Sequence, residues 1–316
     1  MKELALWKFM QEQLQKNHPV IFMCVVESNG SSPGRQGFKM AATDSDMCGS
    51  IGGGIMEHKF VETAKEILRK ETGQFIVQKQ IHSKNVSTNQ SGMICSGEQT
   101  LAVYPVKQSD VIAIEKIINA LEKNQPIHFN FSENGFLADV RKNVPPEKRF
   151  EQKENGWSYS ELIGFSDYIH IIGGGHVSLA FSKLMHELDF HVTVYDDREN
   201  LNTMQQNAFA HEKFLINYET IDTLIPDGND FVVIMTFGYR TDGVVLRRLI
   251  NKKLRYLGLL GSKAKIEKML NELREEGVEE KIIQSINAPI GIQINSQTPT
   301  EIAVSIAAEI IKLKNS

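Results

Sequence analysis

The sequence predicts an α/β protein, with an amino-terminal α/β domain followed by a Rossmann-like domain whose parallel sheet is doubly wound. After residue 165, continuous apolar strands alternate with helical segments, as in sheets buried on both faces. The strand "DYIHII" runs directly into three glycines and a helix, which is the context of a dinucleotide fingerprint. Before residue 141 strands and helices also alternate, but their order in a sheet cannot be read from the sequence.

In the first half, apolar periodicity and turn residues place the elements. Helices are predicted over 2–15, 55–70 and 109–123, the last with Ser109 placed to cap it, and strands over 19–28, 38–43 and 99–106. The polar segment 141–165 contains two adjacent prolines and lacks apolar periodicity. It is predicted to be a linker between a domain over 1–140 and a domain over 166–316, the alternative being a long surface loop.

In the second half, strands are predicted over 167–172, 190–197, 230–237 and 255–261, each followed by a helical segment. The last helix begins with Thr298 as N-cap, Pro299 at its first position and Glu301 three residues beyond the cap. This combination is a capping box.

Composition restricts the functional classes. Hydrophobic residues make up 41% and charged residues 23% of the 316 residues, as in globular proteins. The net charge of -4 does not indicate the basic surface that nucleic-acid binding requires. No signal peptide and no apolar stretch of membrane-spanning length is recognised. Three dispersed cysteines do not form a disulfide framework. A cytoplasmic protein without membrane or nucleic-acid partners is expected.

The glycines after the strand over 167–172 match a dinucleotide-binding loop. Gly173 permits the turn, Gly175 lets the backbone approach a pyrophosphate, and the helix that opens at His176 presents its N–H groups to the anion. Asp196 ends the next strand, where an acid meets a ribose hydroxyl. NAD(P) is therefore a candidate cofactor, although His176 is more often a capping or packing group in such a position.

An earlier loop, "MCGSIGGGIMEHKF", contains Gly52, Gly53 and Gly54. It is not a P-loop, because Ile55 and Met56 follow its last glycine directly where a P-loop has lysine and Ser/Thr, and a Rossmann loop is a poor match because "DSDMC" immediately upstream is not a predicted strand. Upstream, Ser32 and Arg35 lie among turn residues. The arginine can bind a phosphate in a bidentate way, with N–H donors from the glycine loop. The alternative is two ordinary turns with a solvated arginine.

Two further positions are candidates for binding chemistry. Cys95 lies in a polar, glycine-containing loop, where a thiol can serve as a nucleophile or a soft metal ligand if a cation lowers its pKa.

Ser262 can cap a helix whose first turn carries Lys263 and Lys265, although the helix dipole disfavours cations there. A bound anion would relieve this conflict, and an idle pair of surface lysines is the alternative.

Eight motifs in order, from about residue 20 to residue 312, resemble the XdhC/CoxI family of accessory factors for xanthine dehydrogenase and related molybdenum hydroxylases. They are "SSPGRQGFKM", "GSIGGGIME", "MICSGE", "IIGGGHVS", "VYDDRE", "IMT", "YLGLLGSKAK" and "APIGIQINSQTPTEIAVSIAAEI". The resemblance implies a carrier that binds molybdenum cofactor, delivers it to the apo-hydroxylase, acts in some members with a cysteine desulfurase, and forms a homodimer.

The family's motifs fall on Ser32, Pro33 and Arg35, on the glycine signature ending at Glu57, and on Cys95, which the resemblance makes the metal ligand. Three positions depart from the family: Ser96 replaces a glycine, Ile55 stands where CoxI-type members have cysteine, and Phe237 replaces a histidine. The leading hypothesis is thus a non-catalytic cofactor carrier. An NAD(P)-dependent oxidoreductase, for which no hydride-transfer partner is evident, and a structural interaction protein are the alternatives.

Overall fold

The computed structural model describes residues 2–70, 74–81, 97–140, 148–154 and 156–315. The chain divides into two units, Met1–Gly164 and Phe165–Ser316. The second unit thus begins one residue before the carboxy-terminal domain expected from residue 166. Cys95 and Ser96 lie outside the described residues.

An antiparallel sheet of five strands, in the order β3-β2-β1-β5-β4, forms the centre of the first unit. The strands are β1 (Ile21–Asn29), β2 (Lys39–Ala42), β3 (Met47–Gly49), β4 (Ile76–Ile81) and β5 (Glu98–Pro105). Strand β1 is buried on both faces because its side chains alternate between two cores: Met23 belongs to one and Phe22 to the other. The short strand β3, immediately before the first glycine loop, was not expected.

Three helices cover this sheet: α1 (Lys2–Gln15), α2 (Gly54–Lys70) and α3 (Val111–Glu122). Helix α2 shares one core with the sheet, and α1 and α3 contribute to the other. The predicted cap of α3 is wrong. Ser109 lies in a one-turn 3-10 helix, Gln108–Asp110, and Asp110 is the N-cap residue.

A second antiparallel sheet, in the order β7-β6-β9-β8, completes the first unit. Its strands are β6 (Ile127–Ser132), β7 (Gly135–Asp139), β8 (Arg149–Lys153) and β9 (Gly156–Ile163). The predicted linker over 141–165 is therefore wrong for residues 149–153 and 156–163, while 141–147 lie outside the described residues. Alternate residues of β9 are buried, including Trp157, Tyr159 and Ile163, but the apolar/polar alternation is broken by the buried charged residue Glu161 and the half-buried apolar Leu162.

The second unit confirms the predicted parallel sheet. Its strand order is β12-β11-β10-β13-β14, and every neighbouring pair is parallel. The strands are β10 (Tyr168–Ile172), β11 (His191–Asp196), β12 (Glu212–Leu215), β13 (Phe231–Ile234) and β14 (Tyr256–Leu259). The chain winds outward in both directions from β10 and β13, so the topological switch point of a Rossmann fold lies between these strands.

Helices cover both faces of the parallel sheet. They are α4 (His176–Glu187), α5 (Asn202–Gln205), α6 (Ile221–Leu224), α7 (Tyr239–Leu249), α8 (Lys263–Glu275), α9 (Glu280–Gln284) and α10 (Pro299–Lys314), with a 3-10 turn over Tyr218–Thr220. Helices α4 and α10 share one core with the sheet, and α7 and α8 share the other. The predicted capping box of α10 is present.

No helix found in the described residues combines the length and the apolar character that a bilayer crossing requires.

Candidate functional site

Three segments of the first unit meet with their backbones in contact: residues 30–37, residues 49–54 and Gly97, together called the loop cluster. A Cβ placed on Gly34 would lie 2.2 Å from the carbonyl oxygen of Ile51, and one on Gly52 would lie 2.4 Å from the amide nitrogen of Gly34. A Cβ on Gly97 would lie 2.5 Å from the amide nitrogen of Ser32. The glycines are therefore required for the close approach of these three segments.

Glu57, in the first turn of α2, occupies the centre of the glycine loop. Its Oε2 accepts hydrogen bonds from the Ser50 hydroxyl at 2.6 Å and from the backbone N–H groups of Ile51 at 2.9 Å and Gly53 at 3.0 Å. The N–H of Gly52 donates to the Ser50 hydroxyl at 3.1 Å. The donors that were expected to bind an external anion are thus engaged by a carboxylate of the chain itself.

The second oxygen of Glu57, Oε1, has no hydrogen-bond partner in the part of the chain that the structure describes. The side chain is partly exposed. One carboxylate oxygen is therefore fixed by three donors, and the other is free to accept from a ligand N–H.

Ser32 and Arg35 belong to the loop cluster, as expected, but both make internal hydrogen bonds. The buried Ser32 hydroxyl donates to the carbonyl oxygen of Gly34 at 2.7 Å, and the amide of Gly34 donates to the Gln99 side chain at 3.0 Å. Arg35 is exposed, and its Nη1 donates to the carbonyl oxygen of Gly30 at 2.9 Å. Of these two predicted residues, only the arginine can reach a ligand without disrupting the loop.

The predicted metal ligand, Cys95, lies outside the described residues, and its role stays a prediction. Cys24 is fully buried in β1, and burial raises the pKa of its thiol, as expected for a structural cysteine. Partial burial also raises the pKa of Cys48. Among the described residues, no group of three or more His, Cys, Asp or Glu side chains is arranged to hold a metal ion.

A buried charge cluster beside the loop was missed by sequence reasoning. The Lys39 ammonium lies 2.7 Å from Glu161 Oε1, contacts Glu3, and donates to the carbonyl oxygen of Gly37 at 3.0 Å. Burial lowers the pKa of Lys39, but the two carboxylates outweigh it and raise the pKa above its ordinary value. The sequence feature that could have revealed this cluster is the lysine in the otherwise apolar strand β2. This lysine forms an ion pair with Glu161 of β9, which belongs to the second sheet.

The glycine loop of the second unit has the expected geometry around Gly173. This residue has φ of +111°, and a Cβ on it would lie 2.2 Å from the carbonyl oxygen of Met235. Gly175 is the N-cap residue of α4 and makes no side-chain cap, and no atom lies within 4 Å of a Cβ placed on it. His176 is exposed, whereas Ser178 is buried. The first residues of α4 are thus accessible to a ligand.

Asp196 differs from the expected ribose acceptor. Its Oδ2 accepts from the amide of Gly174 at 2.6 Å and from Arg198 Nη2 at 2.8 Å, while Oδ1 accepts from the amide and Nε of Arg198 at 2.9 and 2.8 Å. Burial opposes ionisation, but these hydrogen bonds outweigh it and hold the pKa of the carboxyl below its usual value. Both oxygens are therefore occupied, a consequence of an arginine two residues downstream.

Ser262 caps α8 as predicted, because its hydroxyl accepts from the amide of Lys265 at 3.3 Å. The ammonium of Lys265 forms an ion pair with Asp242, whose carboxylate is fully buried and also accepts from the Thr236 amide at 3.0 Å. The conflict between Lys265 and the helix dipole is resolved by Asp242. An anion is not needed to explain this lysine.

Models of one protein family match both units. The model described as "XdhC and CoxI family" matches residues 13–78, and the model described as "XdhC Rossmann domain" matches residues 169–310. The second range covers β10 to β14 and most of α10, so the family's Rossmann domain coincides with the parallel sheet.

Two relatives are similar over long stretches. The chain is 28% identical over 312 residues to the uncharacterized protein YqeB of Escherichia coli K12, covering 96% of this chain and 45% of YqeB. It is 24% identical over 228 residues to a Bacillus subtilis 168 protein described as a probable xanthine dehydrogenase subunit, covering 66% of this chain and 64% of that protein. The chain thus spans less than two thirds of the length of either relative.

A crystal structure of a Bacillus halodurans protein described as a xanthine dehydrogenase has the same fold. The TM-score is 0.74 at 21% identity, and the match covers 100% of this chain and 96% of that one. With family models matched on both units, the chain belongs to the XdhC/CoxI family.

Proposed function

We propose that this chain is an accessory protein in the maturation of xanthine dehydrogenase or a related molybdenum hydroxylase, and that it binds molybdenum cofactor and delivers it to the apo-enzyme. Membership in the XdhC/CoxI family supports the role in maturation. The descriptions of the B. subtilis and B. halodurans proteins, which both refer to xanthine dehydrogenase, support the identity of the client.

The observation that carries the cofactor proposal is the loop cluster. Gly97 packs on the backbone of Ser31 and Ser32, and Cys95 precedes Gly97 by two residues, a separation that spans at most about 7 Å. The proposal therefore brings a thiol, an unpartnered carboxylate oxygen of Glu57 and the exposed Arg35 to one region of the first unit.

These groups fit the chemistry of the cargo. Molybdenum cofactor is a pterin with a dithiolene-held metal and a phosphate. Cys95 supplies a soft ligand for the metal. Glu57 Oε1 accepts from an N–H of the pterin, while the other oxygen stays in the glycine loop. Arg35 binds the phosphate after exchanging its bond to the carbonyl oxygen of Gly30.

This assignment changes the role of the glycines. Because Glu57 satisfies the amides of Ile51 and Gly53, the loop positions a carboxylate and does not bind the phosphate directly. Gly52, Gly53 and Gly54 are then supporting residues, and the cation that meets the phosphate is Arg35.

The proposal extends to partners. We place the chain in the cytoplasm as a homodimer that meets the apo-hydroxylase and a cysteine desulfurase, which adds the terminal sulfur to the bound cofactor. The homodimer and the cysteine desulfurase rest on the family resemblance alone.

The test is to express the chain in matched hosts with and without molybdenum cofactor synthesis, and to assay the purified protein for pterin by fluorescence after oxidation. Pterin bound only from the competent host supports the carrier, and its absence from both contradicts it. Cys95→Ala should leave the thermal unfolding curve unchanged and reduce the bound pterin at least fivefold. Cys48→Ala, at a partly buried cysteine of β3 to which the proposal gives no role, is the matched control.

One observation favours the alternative of an NAD(P)-dependent oxidoreductase: the Rossmann topology with an open α4 start at Gly175. Turnover of NAD(P)H with a substrate, in protein free of pterin, would support it. Of the predicted site residues in the second unit, His176 is exposed and the Ser262 hydroxyl caps α8.

A further inference from the structure

A pocket of about 380 Å³ lies in the second unit, at the carboxyl ends of β11 and β12. Leu201, Met204, Phe214 and Leu215 supply apolar surface to its wall. Phe214 and Leu215 are 41% and 58% exposed, although both are large apolar residues. A flat, apolar ring system would cover this surface.

The pocket continues to the start of α4. A Cβ on Gly174 would lie 3.0 Å from Met204 Sδ and 3.2 Å from Leu201 Cδ2, so both pocket residues pack against the glycine loop. The next residue, Gly175, is open and begins the helix. In a doubly wound sheet, these two neighbouring positions are where the adenosine and the diphosphate of a nucleotide bind.

The polar groups between the pocket and the start of α4 determine which ligand charge this site favours. A ribose 2′-hydroxyl needs an acceptor, and the two oxygens of Asp196 already accept four hydrogen bonds from Gly174 and Arg198. The remaining polar residues of the wall include acceptors, on Glu199, Asn200 and Gln205, and the cationic donors of Arg198 and Lys213. Arg198 uses Nε and Nη2 for Asp196, which leaves its Nη1 group, and the exposed Lys213 ammonium donates to the carbonyl oxygen of Met204 at 3.2 Å, which leaves two of its three N–H donors.

Arg198 is held in place from two sides. Its guanidinium forms a two-pronged ion pair with Asp196 and lies 5.3 Å from the ring centroid of Phe237, which is 85% exposed. A fixed guanidinium with an unused edge is suited to bind a phosphate. Two carboxylates also line the pocket: Asp196, whose charge is paired with Arg198, and the exposed Glu199, whose negative charge opposes an anion.

From this arrangement we infer that the pocket binds an adenine nucleotide carrying a 2′-phosphate, the adenosine half of NADP(H). The apolar wall covers the adenine, Arg198 and Lys213 bind the 2′-phosphate, and the amides at the start of α4 face the diphosphate. The site is built from residues of the second unit, and its test does not depend on cofactor binding at the loop cluster.

The experiment compares 2′,5′-ADP with 5′-AMP by isothermal titration calorimetry on the full chain, purified from a host that makes no molybdenum cofactor. The 2′-phosphorylated probe should bind at least tenfold more tightly, and the difference should shrink as salt is raised. Equal affinity for the two probes, or no binding of either at millimolar concentration, overturns the inference.

Two variants test the assigned residues. Lys213→Met and Arg198→Lys should each weaken 2′,5′-ADP at least fivefold and leave 5′-AMP within twofold, because only the 2′-phosphate loses a partner. Lys213 is exposed, so its variant should fold even if Arg198→Lys does not. Lys183→Met, an exposed lysine on α4, is the matched control and should change neither affinity. The same loss for both probes would contradict the assignment.

Discussion

Glu57 accepts a hydrogen bond from the backbone N–H of Gly53, with 3.0 Å between Oε2 and the nitrogen. The same oxygen also accepts from Ile51, so a carboxylate of the chain lies where the glycine-rich sequence suggested an external anion. The loop is therefore stabilised by a carboxylate of the chain itself, and in our proposal the ligand meets the side of Glu57 that the loop leaves open.

Substituting Glu57 separates its two roles. Glu57→Ala leaves the loop donors without their acceptor and should lower the free energy of unfolding by about 1–3 kcal/mol in urea titrations. In Glu57→Gln the amide oxygen can replace Oε2, which turns the outer atom from an acceptor into a donor. This variant should fold nearly as well as wild type but retain at least fivefold less pterin. Glu62→Ala, on the exposed part of α2, is the control, and equal retention by Glu57→Gln would remove Glu57 from the site.

Two neighbouring glycines should respond very differently to alanine. Gly52 has φ of +125° and no room for a Cβ, since one would lie 2.4 Å from the Gly34 amide nitrogen. Gly53 has φ of +74° and nothing within 4 Å. Gly52→Ala should cost more than about 3 kcal/mol, whereas Gly53→Ala should cost about 1–2 kcal/mol from its backbone conformation alone. Thermal and urea unfolding measure both, and similar losses would mean that the segments do not meet as described.

The buried ion pair of Lys39 and Glu161 predicts a large loss on removing one partner. Lys39→Met should lower the free energy of unfolding by about 3–5 kcal/mol, because Glu161, with a side chain only 3% exposed, would lose the ammonium that lies 2.7 Å from its carboxylate. The double variant Lys39→Met/Glu161→Leu should recover much of this loss. Lys8→Met breaks an ion pair whose partners are both 45% exposed and should cost less than about 1 kcal/mol. No recovery in the double variant would contradict this view of the pair.

Stability should fall in mildly acidic solution. His211 stacks between His186 and His191, with ring centroids 5.0 and 4.8 Å away, and burial together with these neighbours lowers its pKa from 6.5 to about 4. The unfolded chain therefore binds a proton between pH 6.5 and 4 that the folded chain does not, and stability is lost as the pH falls through this window. The loss should be about 1–2 kcal/mol, allowing for partial exposure.

The check is the melting temperature at pH 7.5 and pH 5.0. His211→Asn can still accept from the Val192 amide, which His211 Nδ1 does at 3.0 Å, and should show a smaller drop than wild type. His58→Asn, an exposed histidine on α2, should leave the drop unchanged. An unchanged drop in His211→Asn would assign the effect to other groups.

Four of the five strands of the second unit could be predicted from the sequence because strands such as Phe231–Ile234 are apolar throughout. The edge strand Glu212–Leu215 was not predicted, since its residues are exposed and show no apolar run. The second sheet of the first unit could not be predicted. Glu161 is a charged residue in β9, and its burial depends on Lys39, which is more than a hundred residues away in the chain. A charged residue at a buried position breaks the apolar/polar alternation of a strand, and the segment then resembles a loop.

The candidate site was predicted in part. The segment of Ser32 and Arg35 and the glycine loop were predicted as candidates, and the structure brings them together in the loop cluster, while Glu57 accepts hydrogen bonds from that loop. The partners of the polar groups were not predictable, because they depend on distances between loops. The engagement of Asp196 by Arg198 is local, however, and the acid and the arginine two residues apart could have suggested it.

The most direct measurement is reconstitution. Protein from a host unable to make molybdenum cofactor is mixed with excess cofactor under anaerobic conditions, passed through a desalting column, and assayed for molybdenum and pterin per chain. Wild type should retain both in a one-to-one ratio approaching one per chain, and Cys95→Ala and Arg35→Ala should each retain several-fold less. Retention no greater than that of an unrelated protein of similar size would contradict cofactor binding by this chain.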